Sequence, residues 1–271
     1  MTEILARKDA FAAAPESIAE LYHENTKVNR VLGPHVLIPV EYAHDERAAI
    51  ARAWKRYRLQ ARTSLPTVLA REQEGATFDE VIASRRSVRD FTDTEIGLDE
   101  LGKILHQTYG VTGESQVAGG ATQKYRAAPS AGALYPAELY LGVRRVAGLE
   151  PGLYHYEVEE HALARLDAGD PTDALFDVCC YQPHARTASV VVLVAGAIHR
   201  TRRRYGDRGY RYVLLDCGHL AENLVLAATA LDLGCVTSCA FFDDAANELL
   251  RLDGLDEAVL YTAFLGPKEA G

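Results

Sequence analysis

A long run of mostly apolar residues, from about Tyr212 to Leu231, constrains this fold more than any other feature of the chain. Its apolar side chains recur at helical spacing and fall on nearly every face of the helix. A helix with this pattern has to be buried all round, either in a core or in a subunit interface. The run therefore predicts a long central helix that other elements cover.

The segments around this helix alternate between strand and helix patterns. Apolar residues at 139, 141 and 143 predict a strand, as do the apolar runs 189–197 and 258–266. Residues 152–166 predict a hairpin that turns near Glu160 and His161, and helices are predicted over 78–84 and 98–109. Because the order is not a regular βαβ repeat, we expect an α+β fold with a mostly antiparallel sheet flanked by helices.

The chain is predicted to divide near Pro66. Residues 1–65 are expected to form a helical N-terminal extension, with a charged amphipathic stretch over 45–62 that contains Trp54. Proline disfavours helix in the residue before it, so the main domain is predicted to span 66–271. Within that domain, Thr112–Arg126 is rich in Gly, Ser, Thr and Gln and predicts a mobile loop, which either covers a ligand or is an idle surface loop.

Composition excludes some function classes. The formal net charge of -9 argues against nonspecific nucleic-acid binding, so no nucleic-acid partner is expected. No uninterrupted apolar run approaches the roughly 20 residues of a membrane span, and no signal pattern is evident. We therefore expect no membrane partner and a cytoplasmic location. The five cysteines form no CxxC pair and predict neither a disulfide nor a metal site, and His219 is expected to be a core histidine.

A cluster of cationic side chains follows the predicted helix that Thr77 can cap. Arg85, Arg86 and Arg89 bring three guanidiniums together, and Ser87 adds a hydroxyl. The planar fork of arginine donors matches phosphate oxygens two at a time. The cluster therefore predicts a phosphate site, with a solvated basic turn as the alternative.

Four ordered motifs carry a resemblance to a known family. The motif SRRSVRDF (84–91) precedes the helix LDELGKILHQTYG (98–110), and APSAGALYPAELYLGV (128–143) precedes the long helix motif over 210–234. Together they resemble the nitroreductase superfamily and, with ELYHENTK (20–27), its SagB-type branch of thiazoline and oxazoline dehydrogenases. The resemblance implies an obligate homodimer, with the long helix in the interface and a flavin shared between subunits.

The expected cofactor is FMN. A compact arginine cluster suits a terminal monophosphate, and the chain has no GxGxxG turn of the kind that holds a pyrophosphate. The resemblance implies that one group binds phosphate and ribityl chain, a second lies along the isoalloxazine, a third covers its other face, and a tail lysine returns to the phosphate. In that order these are Arg85, Arg86, Ser87 and Arg89; Pro129, Ser130, Ala131 and Gly132; Val236, Thr237, Ser238 and Cys239; and Lys268.

Arg204 and Tyr205 are the candidate catalytic residues, because they stand where the resembling dehydrogenases carry a Lys-Tyr pair. Arginine stays protonated and is a poor base, so Arg204 is expected to stabilise negative charge on a carbonyl oxygen or to lower the pKa of Tyr205. The Tyr205 phenolate would then take the proton. The alternative for Tyr205, Arg208 and Arg211 is stacking where a helix begins.

Three functions follow from these patterns. The first is an FMN-dependent dehydrogenase that oxidises an azoline ring on a peptide or carrier-bound intermediate, with oxygen as the acceptor. The second is an NAD(P)H-dependent reductase of nitroaromatics or quinones. The third is a flavin-free scaffold subunit of a biosynthetic complex, against which the intact RRSVR and PSAGA motifs count.

Overall fold

The structure, a computed structural model, describes residues 17–28, 44–66, 76–117 and 119–269. The helices are α1 (Ile18–Asn25), α2 (His44–Ala51), α3 (Phe78–Ser84), α4 (Leu98–Tyr109), α5 (Thr172–Val178), α6 (His184–Thr187), α7 (Ile198–Tyr205), α8 (Gly209–Ala230) and α9 (Asp243–Leu250). The strands are β1 (Arg62–Ser64), β2 (Val111–Val117), β3 (Ala121–Arg126), β4 (Ala137–Val143), β5 (Gly152–Glu157), β6 (Ala162–Ala168), β7 (Val190–Ala197), β8 (Leu233–Ser238) and β9 (Glu257–Pro267).

Seven strands form the central sheet, in the order β1-β6-β5-β4-β7-β9-β8, and neighbouring strands are antiparallel. The predicted hairpin is β5–β6, with His161 at a φ of 47° in its turn. Strands β4, β7 and β9 match the three apolar runs predicted as strands. The α+β prediction with a mostly antiparallel sheet is confirmed.

Side-chain alternation along the central strands builds a core on each face of the sheet. Leu139 and Leu141 of β4 point to the face that α4 and α8 cover. Tyr140 points to the opposite face, where α5, α6 and α9 pack. Because successive strand residues face opposite sides, strands covered on both faces are apolar throughout, as the sequence of β7 shows.

Helix α8 begins three residues earlier than predicted, and one of its faces is exposed. Leu214 and Leu215 lie on that face, so the helix is not covered on every side within one chain. His219 is also exposed, and the prediction of a core histidine is wrong. Among the described residues, one helical stretch, Ile198–Ala230, is long and apolar enough to span a membrane by composition, although half of its most apolar window is buried, as in a core helix.

Two local predictions are also corrected. Thr112–Arg126 is not a loop, because its described residues pair as the β2–β3 hairpin, whose turn uses Gly119 and Gly120 at positive φ. The amphipathic stretch over 45–62 is helical only as far as Ala51. Its remainder runs along the protein and enters β1, which pairs with β6 at the edge of the main sheet.

The N-terminal helix α1 docks on the junction between α7 and α8. Arg208 Nη1 donates to the Thr26 carbonyl at 2.6 Å, and Arg211 Nη2 donates to the His23 carbonyl at 2.7 Å. These two arginines therefore have structural partners. Residues 1–16 and 29–43 of the predicted extension lie outside the described residues, and the division at residue 66 stays a prediction.

Candidate functional site

The arginine cluster is positioned by helix α3 and strand β8. Thr77 and Glu80 form a capping box that begins α3, as the sequence predicts for Thr77. Past the end of the helix, the backbone of Ser87 forms a bridge with Cys235, and the Val88 amide donates to the Cys235 carbonyl at 3.1 Å. The cluster thus runs alongside β8, whose far end carries Thr237 and Ser238.

Two guanidiniums of the cluster are available to a ligand. Among the described residues, the guanidiniums of Arg85 and Arg89 have no hydrogen-bond or ion-pair partner. Arg86 instead folds back, and its Nη1 donates to the carbonyls of Ala83 and Arg85 at 3.0 and 2.8 Å. Burial lowers the pKa of His184, and nearby Arg89 lowers it further. A phosphate such as that of FMN would find suitable donors in Arg85, Arg89 and Ser87, which remain its predicted ligands.

The segment predicted to lie along the flavin ring is a tight turn of left-handed residues. Gly132, Ala133 and Tyr135 have φ values of 63°, 53° and 47°. A non-glycine residue at positive φ is uncommon and needs surrounding contacts that hold it there. Gly132 is exposed, so its backbone can be approached closely by a flat ring.

Buried Asp216 of α8 fastens the start of this turn. Ser130 Oγ donates to Asp216 Oδ2 at 2.5 Å, and Ser130 Oγ also accepts a hydrogen bond from the Tyr135 amide at 2.9 Å. Burial raises the pKa of Asp216, and hydrogen bonds from Ser130 and the Ala131 amide partly offset that rise. The Ser130 hydroxyl is therefore engaged inside the protein.

The end of the turn is fastened through Tyr135, which is buried. The Arg126 amide donates to Tyr135 Oη at 3.2 Å, and Arg200 Nη1 donates to the Tyr135 carbonyl at 2.7 Å. The Arg126 guanidinium is buried against the rings of Trp54, Tyr109 and Tyr135, with Cζ 4.7, 4.5 and 4.9 Å from their centroids. These contacts hold Tyr135 at its positive φ.

Arg200 is itself held by a buried carboxylate. Its Nη2 donates to Glu138 Oε1 at 2.8 Å, and His155 Nε2 contacts Glu138 Oε2 at 3.1 Å. Burial alone would raise the pKa of Glu138, but Arg200 and then His155 outweigh it and lower the pKa to about 2. Glu138 is therefore charged at neutral pH and anchors the turn through Arg200.

The third predicted cofactor segment lies at the end of β8. Val236 is buried, Thr237 Oγ1 accepts from Tyr261 Oη at 2.9 Å, and Ser238 Oγ donates to Gln182 Oε1 at 3.2 Å. Cys239 is exposed. Lys268, predicted to return to the phosphate, pairs with exposed Asp232 at 2.9 Å.

Two adjoining cavities lie between the turn and Arg204 of the predicted catalytic pair. One, of about 340 Å³, lies between α2 and α7, and the other, of about 270 Å³, lies above Gly132 and Ala133. Ile50 and Arg204 line both cavities, and the two together are called the cleft below. Tyr205 lines neither cavity; its ring packs edge-on against Tyr212 at 4.8 Å, with Arg204 Cζ 5.2 Å from its centroid.

Among the described residues, no hydrogen bond or ion pair joins the cluster over 85–89 to the turn over 129–132. Sequence reasoning missed the residues that hold the turn, namely Arg126, Glu138, Arg200 and Asp216. Glu138 and Asp216 are charged residues inside apolar runs, which is a signal that could have revealed them.

An antiparallel sheet with helices on both faces, an arginine cluster and a small-residue turn define an oxidoreductase of the nitroreductase class. The chain belongs to the Nitroreductase family, which it matches over residues 82–266 and whose members generally bind FMN. It is 38% identical over 179 residues to a protein named as a nitroreductase, MJ1384 of Methanocaldococcus jannaschii, covering 66% of this chain and 86% of that protein.

One further relative is named for its role, and another has a solved structure. The trifolitoxin-processing protein TfxB of Rhizobium leguminosarum bv. trifolii is 29% identical over 171 residues, which are 61% of this chain and 46% of TfxB. A nitroreductase structure from Anabaena variabilis aligns with a TM-score of 0.73 and 29% identity over 93% of this chain and 46% of that chain. The chain thus spans about half the length of both.

The same fold occurs in a solved biosynthetic complex. A chain of the Escherichia coli microcin synthetase McbBCD, solved with truncated pro-MccB17 bound, aligns with a TM-score of 0.56 and 20% identity. The alignment covers 100% of this chain and 95% of that one. At this identity the likeness is one of fold.

Proposed function

We propose that this chain is an FMN-dependent dehydrogenase of the SagB type, which oxidises a thiazoline or oxazoline ring on a peptide or carrier-bound intermediate. The observation that carries the proposal is the cleft formed by the two adjoining cavities, which Gly132, Ala133 and Arg204 line. Arg204 belongs to the pair that stands at the Lys-Tyr position of the resembling dehydrogenases. The relative TfxB, a trifolitoxin-processing protein, supports a role in peptide maturation.

In the proposed reaction, the ring loses one proton and one hydride. Bound FMN would accept the hydride, and molecular oxygen would be the final electron acceptor. The protonated guanidinium of Arg204 stabilises negative charge on the substrate carbonyl oxygen, which acidifies the neighbouring carbon. Tyr205 Oη takes the proton from that carbon, and Arg204 Cζ lies 5.2 Å from the centroid of the Tyr205 ring.

The cofactor site is proposed to be completed by a second copy of this chain. Leu214 and Leu215 of α8 are 44% and 56% exposed, and Phe78 and Ile82 of the adjacent α3 are 70% and 48% exposed. A contiguous apolar face of this kind marks an interaction surface. A homodimer would bury it, and sedimentation of the purified chain at twice its 29.7 kDa mass is expected. The proposed enzyme acts in the cytoplasm.

A second candidate is an NAD(P)H-dependent reductase of nitroaromatics or quinones. The observation that favours it is the 38% identity to MJ1384, a protein named as a nitroreductase. It uses the same cofactor residues and reverses the direction of electron flow. The two functions therefore differ in which compound reduces the flavin.

The experiment that separates them is an anaerobic visible spectrum of the FMN-saturated protein. We expect bleaching of the flavin band by an azoline-containing peptide and none by NADH or NADPH. Rapid bleaching by a nicotinamide, with none by azolines, would replace the dehydrogenase proposal with the reductase. Failure to bind FMN at all would contradict both.

Tyr205→Phe tests the proposed base. The variant is expected to retain FMN and to lose turnover by about 10²- to 10⁴-fold, the usual contribution of a positioned base. Turnover and flavin content are measured on the same sample. Tyr210→Phe is the matched control, because Tyr210 packs edge-on against Tyr22 at 6.0 Å outside the cleft. Full activity of Tyr205→Phe would remove Tyr205 as the base.

A further inference from the structure

The cavity of about 340 Å³ between α2 and α7, called the outer cleft below, is lined mainly by cationic and apolar residues. Four of its lining residues are cations, Lys55, Arg200, Arg203 and Arg204, and one is an acid, Glu257. The chain as a whole carries a net charge of -9. A positive concave site in an acidic protein attracts anionic ligands to that one place.

Two of these cations are already neutralised inside the protein. Lys55 Nζ pairs with Glu257 Oε2, and Arg200 pairs with buried Glu138. The Arg203 side chain is exposed and, among the described residues, its guanidinium has no hydrogen-bond or ion-pair partner. Because the proposed reaction uses Arg204, the cation that remains to recognise a ligand in the outer cleft is the Arg203 guanidinium.

Apart from His199, the remaining wall of the outer cleft is apolar. Ala49, Ile50 and Ala53 line it from α2 and the residues that follow, together with the ring of Trp54, and Leu134 lines it from the end of the turn. A cleft of about 340 Å³ is within the usual range for a small-molecule site. Its shape and lining suit a ligand with an apolar body and one negative group.

We propose that this outer cleft is a recognition site for a peptide carboxylate, in which Arg203 pairs with the carboxylate while the adjoining apolar residues pack against Trp54 and Ile50. A single guanidinium with a planar fork of donors matches a carboxylate bidentately. The inference rests on the proposed function, because Arg204, the proposed catalytic cation, lines the same cavity. It narrows the substrate to peptides with a carboxylate beside the reacting ring.

Trp54 makes the proposal directly measurable. It is the single tryptophan of the chain and it lines the outer cleft, so its emission reports occupancy there without any turnover. The FMN-saturated protein is titrated with three probes: N-acetyl-Leu-Glu-amide, N-acetyl-Leu-Leu with a free terminal carboxylate, and neutral N-acetyl-Leu-Gln-amide. The first two separate a side-chain carboxylate from a terminal one.

At least one carboxylate probe is expected to change Trp54 emission saturably and to bind about tenfold more tightly than the neutral probe. Arg203→Gln is expected to abolish that preference. The matched control is Arg202→Gln on the same helix, because Arg202 pairs with exposed Asp207 at 2.8 Å and does not line the cleft. That control should bind like the native protein.

Equal binding of the neutral and acidic probes, or an unchanged preference in Arg203→Gln, would overturn the carboxylate site. An unfolding midpoint equal to that of the native chain shows that the variant is folded. The two proposals fail separately. Loss of the Trp54 response with intact flavin reduction by azolines removes the carboxylate site alone, whereas an intact response without flavin reduction removes the dehydrogenase function alone.

Discussion

The arginine cluster and the Ser130–Tyr135 turn, both predicted to hold the same cofactor, differ in how their polar groups are used. The guanidiniums of Arg85 and Arg89 have no hydrogen-bond or ion-pair partner among the described residues. In the turn, by contrast, Ser130 binds Asp216, and both the hydroxyl and the carbonyl of Tyr135 accept hydrogen bonds. One region presents donors outward, and the other satisfies its polar groups inward.

This difference indicates a division of labour. Unpaired guanidiniums on the surface contribute little to folding but can make charge-assisted hydrogen bonds to a ligand. A turn of left-handed residues is strained, and buried partners have to hold it. Substitutions in the cluster should therefore affect cofactor binding without affecting stability, whereas substitutions behind the turn should affect stability first.

The largest expected effect is that of Glu138→Gln, behind the turn. Removing the carboxylate leaves largely buried Arg200 without its ionic partner, and breaking such a pair costs about 3 to 5 kcal/mol. Urea denaturation at neutral pH measures the loss. Exposed Glu95→Gln is the matched control and should be unchanged. A loss no larger than that control would show that the ion pair does not support the turn.

The pKa of Glu138 adds a pH test to this variant. Because its pKa in the folded state is lowered to about 2, its contribution to stability is fully present above the ordinary carboxyl pKa. That contribution is lost as the pH falls from there toward 2. The difference between the native chain and Glu138→Gln should therefore narrow in acid.

The second prediction concerns the cluster. Arg85→Ala should weaken FMN binding about ten- to hundredfold, because a hydrogen bond to a charged group contributes about 1.5 to 3 kcal/mol. Its unfolding free energy without cofactor should stay within about 0.5 kcal/mol of the native value. Equilibrium dialysis and urea denaturation measure the two quantities, with exposed Arg58→Ala as control. A variant that loses stability but keeps FMN would reverse the proposed division.

The sequence predicted the elements whose signals are local. Period-2 alternation located β4, and Thr77 located the start of α3, because strand and capping patterns involve only neighbouring residues. The β2–β3 hairpin was missed because small polar residues such as Gly and Ser suit both exposed strands and loops. Apolar periodicity could not show which face of α8 is exposed, because leucine occurs both in cores and in subunit interfaces.

The candidate site was predictable only in part for a similar reason. Motifs identify residues that touch a ligand, whereas Arg200 and Asp216 act on the turn from elements distant in sequence. Their partners become apparent only after the chain folds. Ser130 was predicted to lie along the flavin ring, and the motif behind that prediction did not reveal that its side chain also binds Asp216.

The smallest expected effect, that of Ser130→Ala, tests this last distinction. The substitution removes two hydrogen bonds, to Asp216 and from the Tyr135 amide, and should lower the unfolding free energy by about 1 to 2 kcal/mol. Ser115→Ala on the exposed β2–β3 hairpin is the matched control. FMN binding should fall less than in Arg85→Ala.

The loss in Ser130→Ala should also depend on pH. Burial raises the pKa of Asp216, so the folded state favours its protonated form, and the hydrogen bond from Ser130 partly offsets this by stabilising the charged form. The loss should thus grow as the pH rises through the raised pKa of Asp216, because the hydrogen bond from Ser130 stabilises the charged form. In an Asp216→Asn background that pH dependence should vanish. If it persists there, the pH dependence arises from a group other than Asp216.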